Sequence, residues 1–153
     1  MPEIPLIKQK LYSGCTDYVE SKLTSIAGAL DDLQQAANLE TKSSMGDKYE
    51  TGRASIQLEM EKYSNQLQEF TNLKKILFQI NVNRIYESVQ AGSLVYTTQG
   101  NYFIAINAGE FEIDGEKILS ISLASPLGKE LFRKMKGEKF TFRDKTFKIK
   151  NVL

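Results

Sequence analysis

Two carboxylates, Asp47 and Glu50, stand three residues apart in the stretch Ser43 to Ala54, S-S-M-G-D-K-Y-E-T-G-R-A. If a helix begins near Asp47, that spacing puts both acids on one face of its first turn, where the helix dipole and unpaired amides favour negative charge. A structural use is open to them, with Asp47 as the cap and Glu50 as its capping-box partner. As a metal site they fall short alone: two exposed carboxylates leave most of a magnesium ion's coordination unfilled, so the free protein is expected to carry no cofactor.

The chain has no histidine, which removes every mechanism that uses an imidazole as base, shuttle or ligand. Its one cysteine, Cys15, has no partner for an intramolecular disulfide and no imidazole to activate it. Cys15 is in helical register with Leu11 and Val19, so it reads as core. A stand-alone enzyme is therefore not expected.

The acidic stretch reads as the tip of a helical hairpin. After Pro5, apolar or small residues fall at Leu11, Cys15, Val19, Leu23, Ile26, Leu30, Leu33 and Ala37 in steps of three and four, which predicts one helix from about Leu6 to about Leu39. Gly14 and Gly28 weaken it locally without breaking the pattern. Beyond the tip, Ile56, Met60, Tyr63, Leu67, Phe70 and Leu77 repeat the spacing, with a polar Lys74 interrupting. Two such seams around a short polar turn predict an antiparallel coiled coil. At about 1.5 Å per residue it would carry its tip roughly 45 to 50 Å from its base.

Near Asn81 the pattern changes, which suggests a hairpin over residues 1–80, a linker over 81–88 and a second unit over 89–153. Ser93–Thr98 and Asn101–Ile106 read as strands around Gln99-Gly100. Glu110–Ile113 and Glu116–Ile121 flank Asp114-Gly115, a pair that accepts the positive φ of a two-residue hairpin turn. Ser125-Pro126 then places a capping hydroxyl before a proline at the first helical position, with Leu127, Leu131 and Met135 on one face as far as Gly137. Lys139–Arg143 and Thr146–Val152 form a last hairpin turning at Asp144-Lys145. The fold class is α+β, a helical coiled-coil hairpin followed by a small antiparallel sheet with one packed helix.

Charge separates the halves. Residues 1–80 carry 9 Lys/Arg against 11 Asp/Glu, residues 81–153 carry 11 against 8, and Lys129 to Lys150 holds nine basic residues and three acidic ones within a net charge of +1. That cluster either faces an acidic partner or is a solvated surface. No basic recognition helix appears, so sequence-specific DNA binding is not expected. M-P-E-I-P-L-I-K is no secretory leader and no apolar run reaches membrane-span length, which favours a cytoplasmic protein.

The run Ser125-Pro126-Leu127, Leu131-Phe132, Lys134 and Gly137-Glu138 resembles the C-terminal domain of the GreA/GreB transcription elongation factors. Gly46-Asp47 followed by Glu50 resembles the G-D-x-x-E of that family's coiled-coil tip. The two motifs occur in the family's order and span nearly the whole chain. The resemblance implies a bacterial protein whose FKBP-like C-terminal domain docks on RNA polymerase at the rim of the secondary channel, here through Ser125, Pro126, Lys134 and Lys136. It also implies a coiled coil that enters the channel and brings Asp47 and Glu50 to the active site, where they help hold the polymerase's second Mg2+ and promote cleavage of backtracked RNA near its 3′ end. The polymerase would perform the chemistry.

The tip departs from the family's common G-D-L-x-E-N-A-E-Y. Lys48 follows Asp47, Tyr49 precedes Glu50, and Thr51-Gly52-Arg53-Ala54 replaces the remainder. Arg53 is placed to pair with Glu50 or to meet RNA phosphate. The leading expectation is a cleavage-stimulating factor; the alternatives are a Gre-like channel regulator without cleavage activity and an FKBP-like prolyl isomerase or adaptor with a coiled-coil spacer.

Overall fold

The computed structural model describes residues 6–41 and 46–153, with the backbone alone for residues 40–41 and 46–51. The elements, in order, are α1 (Leu6–Thr41), α2 (Gly46–Gln79), β1 (Leu94–Thr97), β2 (Asn101–Ile104), β3 (Gly109–Ile113), β4 (Glu116–Ile121), α3 (Pro126–Leu131), β5 (Lys139–Phe142) and β6 (Lys145–Val152). A helical hairpin followed by a sheet with one helix is the α+β order expected from the sequence. The chain divides into two compact units, Met1–Tyr18 with Lys75–Leu153, and Val19–Lys74. The coiled-coil pattern does not mark those boundaries, because one apolar period continues through both.

In the first unit the sheet runs β3-β4-β2-β1-β6-β5. It is mixed rather than wholly antiparallel: β2 and β4 are parallel, with Tyr102 opposite Leu119 and Ile104 opposite Ile121. The Asp114-Gly115 turn, with φ values of 53° and 81°, folds β4 back tightly against β3. The chain leaving β2 passes over the neighbouring position to β3 at the edge, and the return fills that position with β4. Alternation in a sequence reports faces, not neighbours.

One face of the sheet carries Val95, Tyr102, Ile104, Ile121, Phe147, Ile149 and Val152, closed by Leu131 of α3 and by Val89 and Tyr86. The other buries Leu94, Phe103, Ile118 and Ser120. There the start of α1 packs, with Cys15 Sγ 3.3 Å from Ser120 Oγ. Leu11 and Cys15 thus serve the sheet's core rather than a helix seam, as completely buried residues of the same unit. Tyr12 donates to the Leu77 carbonyl at 2.9 Å and ties the start of α1 to the end of α2. Residues 81–88 also belong to this packing: Val82 and Tyr86 are buried, and Ser88 pairs with Met135.

Two further expectations are corrected. The helix that begins at Ser125 ends at Leu131, not Gly137, because Arg133 turns to φ 68° and pairs its N–H with Val89 O while Val89 N donates to Lys134 O. The final hairpin turns on Arg143 and Asp144, both at positive φ, so Lys145 already opens β6.

The second unit consists of the remainder of α1 and most of α2. Lys74 Nζ lies 2.9 Å from Glu20, an exposed antiparallel tie of small energetic weight. Leu23, Leu30, Leu33, Ile56, Met60, Tyr63, Phe70 and Leu73 are half-buried, and Ile26 is fully buried. Leu73 takes the seam position where Lys74 interrupted the pattern, and Leu67 is more exposed than its register predicted. A pair of helices has no third surface to finish its burial.

Candidate functional site

Asp47 and Glu50 belong to the first turn of α2, which starts at Gly46. Their side chains, like those of Lys48 and Tyr49, lie outside the described residues, so the pairing considered between Arg53 and Glu50 does as well. As a donor set, two carboxylates are of the right type for magnesium and too few to bind it without another ligand source.

The partner-binding candidates all belong to the first unit, Ser125 and Pro126 at the start of α3, Lys134 and Lys136 in the segment after it. Ser125 caps α3: its Oγ accepts from Gly128 N at 3.1 Å and donates to the Ser122 carbonyl at 2.6 Å. Pro126 occupies the first helical position, where a missing N–H costs nothing. Gly128 is required by this cap, since a Cβ there would stand 2.0 Å from Ser122 O. The Ser-Pro motif therefore has a complete structural account in fixing where α3 starts.

Past α3 the side chains change role. Leu131 is fully buried, whereas Phe132 is 41% exposed and Met135 49%. Arg133 lies over the Phe132 ring at 5.1 Å, and Lys134 over Phe140 at 5.2 Å. Lys136 is exposed. Phe132, Arg133 and Met135, with Ser88 and Gln90, line a shallow groove of about 400 Å³. An open apolar floor with cations at its edge suits a protein partner that is partly acidic. Phe132 and Arg133 were not among the sequence candidates, although a phenylalanine next to the inward Leu131 cannot share its helical face.

The titratable groups elsewhere are structural. Burial pushes the Cys15 thiol up, against a smaller opposing effect of its contact with Ser120. A thiol that is fully buried and held protonated is inert. Tyr96 is pushed up to about 12, first by burial and then by its 3.0 Å bond to Glu116 and that carboxylate's charge. Burial also raises Tyr102. Lys8, with no exposed surface, is held down to about 8 by burial while donating to Arg84 O at 2.6 Å.

No helix among the described residues is long and apolar enough to cross a membrane. No family model matches the chain. No curated protein matches it in sequence. Among solved structures, that of the transcription factor Gfh1 is similar at 17% identity over 92% of this chain and 92% of that one, with a TM-score of 0.34.

Proposed function

We propose that the protein is an RNA polymerase-binding transcription factor that inserts its helical hairpin into the secondary channel and stimulates cleavage of backtracked RNA. The observation that carries this reading is the position of Asp47 and Glu50 in the first turn of α2, where the second helix of a two-helix unit starts. The portion of α1 in that unit, from Val19, gives an arm of about 35 Å at 1.5 Å per residue. A slender helical pair tipped with acids is suited to delivering oxygen ligands into a narrow channel. Mg2+ there belongs to the polymerase, which performs the hydrolysis; this chain's carboxylates add hard donors beside it. Docking is assigned to the groove of Phe132, Arg133 and Met135 with Lys134 and Lys136 nearby, on a soluble protein working in the cytoplasm.

A second reading, a channel-binding regulator without cleavage activity, is favoured by Lys48 and Arg53, which bring cations next to the two acids. The deciding experiment is transcript shortening in a defined backtracked elongation complex, comparing wild type with Asp47→Ala/Glu50→Ala at matched occupancy. Shortening by wild type and its loss in the variant supports cleavage stimulation. Binding by wild type without shortening moves the protein to the regulator class.

A further inference from the structure

The basic excess between Lys129 and Lys150 is not spread evenly over the first unit. In β6 the residues alternate, with Phe147 and Ile149 buried and Lys148 and Lys150 exposed. Across from it in β5, Phe140 pairs with Phe147 on the inner face, so Lys139 stands opposite Lys148 and Thr141 opposite Thr146 on the outer one. Like charges directly opposite in a sheet destabilise it. No carboxylate lies within ion-pair distance of these three lysines among the described residues.

Protection of a sheet edge is the ordinary reason for exposed strand lysines. It accounts for Lys139, because β5 is the last strand. It does not account for Lys148, where β6 is bonded on both sides, to Thr98 after β1 and opposite Lys139 of β5; Lys150 follows on the same outer face, beyond the last β5 pair. General basicity does not account for them either, with a net charge of +1 over the whole chain.

We propose that this outer face of β5 and β6 is a sequence-independent docking surface for the phosphate backbone of a nucleic-acid duplex. Lysines two apart along a strand are about 7 Å from one another and lysines on paired strands about 5 Å, a row of point charges with the Thr141 and Thr146 pair flanking it on the turn side. Lysine binds phosphate in that manner and is depleted from protein–protein interfaces, whose centres are apolar. The aromatic residues here point the other way: Phe140 and Phe142 pack on Phe147 within the inner face, with centroid distances of 4.9 and 6.3 Å. An acidic protein partner would find no apolar centre to bury, and a single strand no ring on which to stack its bases. The inference is independent of the tip acids and of the groove beside Phe132.

The test uses the full chain and a labelled mixed-sequence DNA duplex of about 25 base pairs, followed by anisotropy from about 50 to 200 mM salt. Wild type is expected to bind regardless of sequence and more tightly than to either separated strand, with a salt slope near −2.7 for three phosphate contacts. Lys139→Gln/Lys148→Gln/Lys150→Gln is expected to lose about tenfold or more at the lowest salt and most of that slope, while its thermal midpoint stays the same or rises. Absence of duplex binding at 50 mM salt overturns the proposal, as does an unchanged slope in a folded variant. A triple variant that weakens polymerase binding and leaves duplex binding intact also overturns it, and assigns the face to an acidic protein surface.

Discussion

A Cβ placed on Gly14 of α1 would stand 2.7 Å from Cε1 of Phe111 in β3. The missing side chain is what lets the edge strand's ring close over the helix, so a residue that lowers helix propensity improves the packing of helix on sheet. The other glycine of α1, Gly28, would meet nothing within 4 Å of an added methyl and has no such role. The two glycines therefore predict opposite outcomes. Gly28→Ala should raise stability by about 1 kcal/mol through helix propensity alone. Gly14→Ala gains the same propensity but overpacks a site with no room, at about 2 kcal/mol, for a net loss of about 1 kcal/mol. Urea midpoints of the two variants, at constant m, measure both.

Lys8 gives the fold a signature at alkaline pH. Its folded value near 8 lies below the usual 10.5, so between those values the unfolded chain binds the extra proton and stability rises with pH. Below about pH 8 the ammonium is charged in both states, and the cost of burying it is felt in full. The ring of Tyr86 lies 4.9 Å from the ammonium, with the Arg84 guanidinium 5.2 Å from the same ring. Tyrosines with raised values act in the opposite direction above pH 10, so the comparison is made between wild type and Lys8→Met over pH 7 to 9.5. Wild type should gain stability relative to the variant through that window; parallel curves would mean that Lys8 does not titrate there.

The start of α3 is set by two residues of unequal weight. Ser125→Ala removes the hydroxyl that joins Gly128 N to the Ser122 carbonyl and should cost about 1 kcal/mol. Gly128→Ala sets a methyl 2.0 Å from a backbone oxygen that cannot rotate away, and should cost about 3 kcal/mol or more. The ranking is read from thermal midpoints, and an equal effect of the two would show that the turn yields.

Lys134 and Lys136 test the docking assignment. Lys136 is exposed and Lys134 half-buried over Phe140, so Lys134→Glu/Lys136→Glu should change stability by no more than about 1 kcal/mol. If the partner surface is acidic, polymerase binding should weaken about tenfold or more, chiefly through a slower association rate with an altered salt dependence. Phe132→Ala should weaken it through a faster dissociation rate. Unchanged association in the charge-reversed variant removes these lysines from the interface.

The two long helices, the succession of strands along the chain, the Asp114-Gly115 turn and the Ser125 cap are legible in the residues alone, because each follows from local chemistry: an apolar period, a residue that tolerates positive φ, a hydroxyl before a proline. For Asp47 and Glu50 the spacing gave only a condition, a helix starting nearby, and α2 starts at Gly46, one residue before the cap position considered for Asp47. What each apolar face meets is fixed by packing across the fold. Leu11 and Cys15 share the period of a coiled coil yet pack in the sheet's unit, and β4 lies beside β2, because period reports that a side is buried and not by what. Likewise α3 stops at Leu131, against a pattern that continues to Met135, because Val89 offers Arg133 and Lys134 backbone partners across the fold. The opposition of Lys139 and Lys148, by contrast, comes from a local hairpin whose turn falls on Arg143 and Asp144, one residue earlier than the sequence suggested.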